Sequence, residues 1–186
     1  MPSRKKPSSR TRVLVGGAVL AVVGAGVVGT VAAGAADSPG PAPAAAAVRS
    51  GNLTESTHLT LDAATKAAQA AVDAAEQDGR RVSVAVVDRN GNTLVTLRGD
   101  GAGPQSYESA ERKAFTAVSW NAPTSELAKR LEQAPTLKDI PGTLFLAGGA
   151  PVAAKGAPVA GIGVAGAPSG DLDERYAQAG VAALGR

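Results

Sequence analysis

Two glutamates three residues apart are the first feature of this sequence that can do chemistry. Glu108 and Glu111 stand in a segment whose apolar residues recur at helical spacing, so both carboxylates fall on one helix face. Carboxylate oxygens are hard donors, and carboxylates on helices hold iron in di-iron bundles. The alternative is a solvated acidic face, in which Glu108 forms an ion pair with Arg112 worth about 0.3–0.5 kcal/mol. The spacing leaves both interpretations open.

The other candidate metal ligand is His58, the single histidine of the chain. A chain with one histidine and no cysteine cannot build a thiolate site or a histidine-rich cage. His58 stands just before the first predicted helix, and its imidazole would add a nitrogen donor to the carboxylates. Such a site needs carboxylates from this chain or from a neighbouring subunit. The alternative is an exposed residue near a mobile terminus.

Other motifs carry less chemistry. Residues 161–166 are rich in glycine but lack the Lys-Ser/Thr of a phosphate-binding P-loop, so they indicate close packing. No nucleophile elbow supports serine hydrolase chemistry. Asp171, Asp173 and Glu174 form an acidic group that fits a capping box, with Asp171 as the cap and Glu174 three residues later.

The first 36 residues are typical of an export signal. Five basic residues up to Arg12 precede 24 uncharged ones, and small residues close the segment, so we predict cleavage near Ala35 or Ala36. The competing interpretation is an uncleaved anchor, because 24 uncharged residues can span a bilayer. A Pro- and Ala-rich linker follows over 37–52, and a folded domain over 53–186. We therefore predict a secreted, extracellular protein, either free or associated with the cell wall.

The charge balance argues against nucleic-acid binding. Residues 1–36 contain five of the 19 Lys and Arg residues and none of the 16 Asp and Glu residues. The remaining chain therefore has a small negative net charge and lacks the basic surplus of a nucleic-acid-binding face.

Hydrophobic periodicity predicts an α+β domain in which helices pack on an antiparallel sheet. The predicted helices cover residues 61–78, 106–121, about 124–133 and about 171–184. The predicted strands cover residues 81–87, 93–98, 143–147, 152–154 and 159–165, with turns at 88–92 and 148–151.

Four segments in this order resemble the GlcG-like family, and most closely its secreted haem-binding branch from actinobacteria. They are Val86-Val87-Asp88-Arg89-Asn90-Gly91, Ser109 to Ala117 (SAERKAFTA), Gly148-Gly149-Ala150-Pro151, and Gly161 to Ala167 followed by Asp173-Glu174 and Ala179-Gly180. The resemblance covers about residues 58–186, and the order and spacing of the segments make it specific.

The resemblance implies a profilin-like α-β-α layered fold in homo-oligomers, up to octamers. It also implies haem b and iron as cofactors, and the extracellular part of a membrane sensor histidine kinase as partner. The stretch that matches the haem pocket of the branch contains Thr143, which becomes the candidate axial or contacting residue. Phe145 would line the pocket, and Lys113 and Arg112 would pair with the haem propionates.

Three functions remain open from the sequence. The first is haem and iron binding that senses redox or iron stress and modulates the kinase, with haem held near Thr143 and iron by Glu108, Glu111 and His58. The second is an enzyme that degrades haem or processes a small acid, as the wider family suggests. The third is a structural oligomer without metal.

Overall fold

A computed structural model describes residues 47–185 of the chain. The predicted export segment, residues 1–36, lies outside the described residues, as does most of the predicted linker. The last linker residues are described and contain a short 3-10 helix, Ser50–Asn52. None of the helices in residues 47–185 combines the length and the apolar character that a membrane-spanning helix needs.

The described part of the chain forms four α-helices and four strands, with a further 3-10 helix at Pro135–Asp139. In chain order they are α1 (Leu61–Gln77), β1 (Ser83–Asp88), β2 (Thr93–Arg98), α2 (Ser106–Trp120), α3 (Thr124–Arg130), β3 (Gly149–Ala154), β4 (Ala157–Ala165) and α4 (Gly170–Ala183).

The four strands form one antiparallel sheet in the order β2-β1-β4-β3. Helices α1 and α4 pack together on one face of the sheet, and α2 packs on the other, against β1 and β4. The result is three layers, α-β-α, which confirms the α+β class and the layering expected from the resemblance.

Strand β1 shows why both faces are covered. All six of its residues are buried. Val84 and Val86 enter the core shared with α1 and α4, whereas Ala85 and Val87 enter a smaller core against α2. Successive side chains of a strand point to opposite faces, so a continuous apolar run requires a layer on each side.

Local signals fix the first helix. The Thr60 hydroxyl accepts a hydrogen bond from the Ala63 amide (3.1 Å), which satisfies one of the free amides of the first turn. Gly79, with φ +66°, follows the end of the helix in a conformation that favours glycine. The buried face of α1 consists mainly of alanines, which lets α4 lie close to it.

Most predicted elements are confirmed within a few residues, but the segment before β3 is not. Residues 143–147 form no strand, and the predicted turn at 148–151 contains the start of β3. The chain therefore has one strand fewer there than the sequence predicted. The reason is tertiary, because the Leu144 amide donates to the Thr116 hydroxyl of α2 (2.8 Å) rather than to a strand.

The predicted capping box at α4 is also wrong. Ser169 is the N-cap, and its hydroxyl accepts from the Leu172 amide (3.3 Å), while Asp171 lies exposed in the first turn. Glu174 does not reach back along its own helix. It accepts from the Ser125 amide (2.9 Å) and hydroxyl (2.6 Å), so it caps α3 instead.

Candidate functional site

The two glutamates lie on the first half of α2, as the spacing predicted. The Glu108 side chain is 77% exposed, and its carboxylate is 3.8 Å from the Arg112 guanidinium. Glu111 is half-buried and accepts a hydrogen bond from the Thr96 hydroxyl of β2 (3.1 Å). The edge strand therefore orients the Glu111 carboxylate, while the Glu108 carboxylate lies at the surface beside Arg112. Two such oxygen donors fit the ligand preference of iron and other hard cations.

His58 is not brought to these carboxylates by any contact in the described residues. Its Nε2 is 2.6 Å from the Ser56 hydroxyl, and its Nδ1 is 3.9 Å from the Asp88 carboxylate at the end of β1. Within residues 47–185, no three His, Asp or Glu side chains form a group that could hold a metal ion. The role of His58 as a ligand stays a prediction.

Asp88, the acidic neighbour of His58, is a structural carboxylate that organises the β1–β2 turn. It accepts from the amides of Asn90 (2.8 Å) and Asn92 (2.9 Å) and from the Asn92 side chain (3.1 Å). Burial raises the pKa of Asp88, but the hydrogen bonds from Asn92 and Asn90 and the charge of His58 together hold that pKa below its usual value. The carboxylate is therefore ionised and committed to the turn.

Thr143 is buried in a loop held against α2. Its hydroxyl donates to the Ile140 carbonyl (2.7 Å), and its own carbonyl accepts from the Arg112 guanidinium (2.8 Å). The hydroxyl oxygen keeps lone pairs, so it fits a weak oxygen ligand. Because Thr143 is only 2% exposed, a ligand role requires the loop to move so that this oxygen becomes accessible.

The neighbours of Thr143 divide between core and surface. Phe145 is buried and meets the Trp120 ring edge to face, with ring centroids 5.2 Å apart. Leu146 points outward and is 58% exposed. Leu146 borders an open groove of about 430 Å³. Other residues that line this groove are Ala147, Pro168, Ser169, Lys113 and Asp173. The groove therefore combines apolar contacts, such as Leu146 and Pro168, with charged groups, such as Lys113 and Asp173.

Lys113 reaches the floor of the groove in a buried ion pair. Its ammonium group is 2.8 Å from the Asp173 carboxylate and donates to the Val164 carbonyl (3.0 Å). Asp173 also accepts from the Ala167 amide (2.9 Å). Burial raises the pKa of Asp173, and the hydrogen bond and charge of Lys113 counteract this only in part. Binding of a propionate by Lys113 would therefore require this pair to open, whereas Arg112 is 41% exposed at the surface.

Sequence reasoning missed the partners that position these groups. Glu111 is contacted by Thr96 of β2, Arg112 by Thr116 one turn later on α2, and Lys113 by Asp173 of α4. Only Thr116 had a local signal, because it stands four residues after Arg112 and its hydroxyl bonds the Arg112 carbonyl (2.7 Å).

Comparisons with known proteins identify the family of the chain. Residues 59–182 match the family described as "Haem degrading protein HbpS-like". Among curated proteins, none matches the chain significantly. A crystal structure of HbpS from Streptomyces reticuli, a double mutant with two glutamates three positions apart changed to aspartate, is 85% identical. It covers 78% of this chain and 100% of its own, with a TM-score of 0.77.

Two further solved structures extend the comparison. A crystal structure of HbpS is 87% identical and covers 76% of this chain and 100% of its own, with a TM-score of 0.75. The crystal structure of a PduOC–haem complex is 29% identical and covers 68% and 95%, with a TM-score of 0.63. The family match spans well over half of the chain and confirms the resemblance found in the sequence. This chain belongs to the HbpS-like family.

Proposed function

We propose that the protein binds haem and iron outside the cytoplasm and modulates a membrane sensor histidine kinase under redox or iron stress. The observation that carries the proposal is the carboxylate pair on α2. Glu108 and Glu111 are the only two glutamates three residues apart in the chain, and the S. reticuli double mutant changes two glutamates at the same spacing. The family description and the haem complex of the PduOC relative support haem as the second ligand.

Different residues of the chain bind iron and haem in this proposal. Glu108 and Glu111 hold iron through oxygen, with His58 as a further donor if it reaches the site from this chain or from a second copy. Thr143 supplies a weak oxygen ligand to haem, Leu146 an apolar contact, and Arg112 a cation for a propionate. Haem supplies an iron centre that responds to redox conditions. Weak oxygen ligation makes its binding reversible.

Replacing both glutamates with glutamine should abolish iron binding. Glu108→Gln with Glu111→Gln keeps the shape of both side chains and removes the anionic oxygens, so we expect iron stoichiometry after anaerobic Fe²⁺ loading to fall to background. Glu126→Gln with Glu132→Gln is the matched control, because both residues are exposed glutamates outside α2. Unchanged stoichiometry in the α2 double variant would reject the site.

The haem site is tested at Thr143. Thr143→Val keeps the branched shape and removes the oxygen donor, so in hemin titrations we expect a shifted Soret band and binding weakened about tenfold, which corresponds to about 1.4 kcal/mol. Thr143→Ser retains a hydroxyl and should keep the wild-type spectrum. The assignment of Thr143 fails if the valine variant has the wild-type spectrum and affinity.

We also propose where the protein acts, how it assembles and which partner it contacts. An export signal over residues 1–36 would place the domain outside the cytoplasm, where it can meet the extracellular part of the kinase. A homo-oligomer, with an octamer as the expected form, would present several copies of the site to that partner. Kinase autophosphorylation in vesicles, with the protein on the outer face, should change when hemin or Fe²⁺ is added.

The family description favours a second candidate, haem degradation. Under reductant and oxygen, an enzyme would destroy the Soret band and accumulate a product, whereas a binding protein would keep the haem absorbance. A structural oligomer, the third option, would take up neither hemin nor iron.

A further inference from the structure

One side chain stands between the carboxylate pair and the haem-contacting loop. The Arg112 guanidinium donates through Nη2 to the Thr143 carbonyl (2.8 Å), and its Nη1 is 3.8 Å from the Glu108 carboxylate. The same cation therefore faces a proposed iron ligand on one side and the proposed haem contact on the other.

Apart from the packing of Phe145 on Trp120, the loop around Thr143 is held to α2 by a further hydrogen bond to one buried hydroxyl. The Leu144 amide donates to Thr116 Oγ1 (2.8 Å), which in turn donates to the Arg112 carbonyl (2.7 Å). The remaining polar contacts of Thr143 are local and lead back to Ile140. Both hydrogen-bonded attachments of this loop to α2 thus converge on the Arg112 position, one turn beyond Glu108.

We infer that Arg112 is a positioning residue that couples cation binding at Glu108 and Glu111 to haem binding at Thr143. This inference rests on the proposed function. A divalent cation at the carboxylates takes Glu108 from Arg112 and repels the guanidinium, and both effects favour the hydrogen bond to the Thr143 carbonyl. A Thr143 loop held in one position binds haem more tightly, because less ordering is left to be done on binding.

The coupling is reciprocal, so haem must also tighten the hold on iron. Coupling free energies between sites commonly change affinity by about 5- to 150-fold. Arg112 and Glu108 are solvent-exposed, and exposed ion pairs are weak, so we expect the low end, about fivefold.

The test compares the hemin dissociation constant with and without anaerobic Fe²⁺. In the wild type, Fe²⁺ should lower this constant about fivefold. Arg112→Gln keeps a hydrogen-bond donor and loses the charge, so it should bind hemin more weakly both with and without Fe²⁺, because the propionate loses its cation. The ratio of the two constants should fall to about one. Arg130→Gln, an exposed arginine on α3, is the control and should keep the wild-type ratio.

A second readout needs no haem. Fe²⁺ should slow hydrogen exchange of the Leu144 amide in the wild type and leave it unchanged in Arg112→Gln. The coupling is overturned if Fe²⁺ does not change the hemin dissociation constant of the wild type. It is also overturned if Fe²⁺ changes that constant by the same factor in Arg112→Gln as in the wild type. Neither result contradicts the proposed binding of haem and iron. If the wild type takes up neither hemin nor Fe²⁺, the proposed function fails and the coupling fails with it.

Discussion

Gly163→Ala is expected to destabilise the domain by about 3 kcal/mol, at the upper end for overpacked cores. Gly163 lies on β4, where α2 crosses the sheet. A Cβ at this position would overlap the Ala110 carbonyl of α2 and lie 2.5 Å from the Ala114 amide. Gly161, two residues earlier on the same face, meets the Ala114 carbonyl in the same way. The obstacle is helix backbone, which cannot rotate away as a side chain would.

The measurement is urea unfolding of the wild type and the variant at neutral pH. A loss of this size is a large part of the 5–15 kcal/mol typical of a domain, so the unfolding midpoint should fall markedly. Gly51→Ala is the matched control, because a Cβ there meets nothing within 4 Å and the residue has no positive φ. If Gly163→Ala unfolds within about 0.5 kcal/mol of the wild type, the level expected of a surface change, α2 does not pack on β4 as described.

These glycines show how far the sequence predicts the fold. The apolar run of β1 and the helical spacing of the apolar residues in α1 are local signals, and the structure confirms both elements. The glycines of β4 indicated close packing, but the sequence alone does not say which helix approaches them. That depends on the order of the layers.

The segment 143–149 shows where local reasoning fails. Thr143 to Leu146 has the apolar run of a buried strand, yet Phe145 fills a small core with Leu127 and Trp120. The next residues resemble a turn, yet Gly149 begins β3 and lies so close to α2 that a Cβ there would be 2.5 Å from the Lys113 carbonyl. Tertiary contacts decide both outcomes.

The candidate site likewise has one part that the sequence predicts and another that depends on the tertiary structure. The placement of Glu108 and Glu111 on one helix face follows from spacing alone, and the structure shows it. The separation of His58 from them, and its approach to Asp88, depend on the path of the chain before α1. The sequence could not distinguish the exposed Arg112 from its buried neighbour Lys113, because helical phase relative to the sheet decides which of the two is covered.

Lys113→Met is expected to cost about 3–5 kcal/mol at pH 7, the usual penalty for breaking a buried ion pair. Methionine fills a similar volume but leaves the Asp173 carboxylate buried without its cation. Among the described residues, every buried side-chain nitrogen and oxygen has a hydrogen-bond partner, so this variant introduces a defect that the wild type lacks.

The penalty should depend on pH with a defined sign. Burial raises the pKa of Asp173 above 3.8 even with Lys113 present, and removing Lys113 removes the contacts that lower it. Between the unfolded and the folded pKa, the Asp173 carboxyl is therefore protonated in the folded variant and ionised in the unfolded chain. Its stability is highest below the unfolded pKa, and it declines as pH rises through the folded pKa. The difference from the wild type should be small near pH 4 and should grow towards pH 7.

Urea midpoints measured from pH 4 to pH 7 test this sign, with Lys129→Met as the control because Lys129 is exposed on α3. Adding Asp173→Asn to Lys113→Met removes the stranded charge, so the double variant should recover much of the lost stability at pH 7 and lose the pH dependence. A penalty that is equal at both ends of the pH range would mean that Asp173 is not the group left unpaired. It would also mean that the Lys113–Asp173 pair does not form the bottom of the groove beside Leu146.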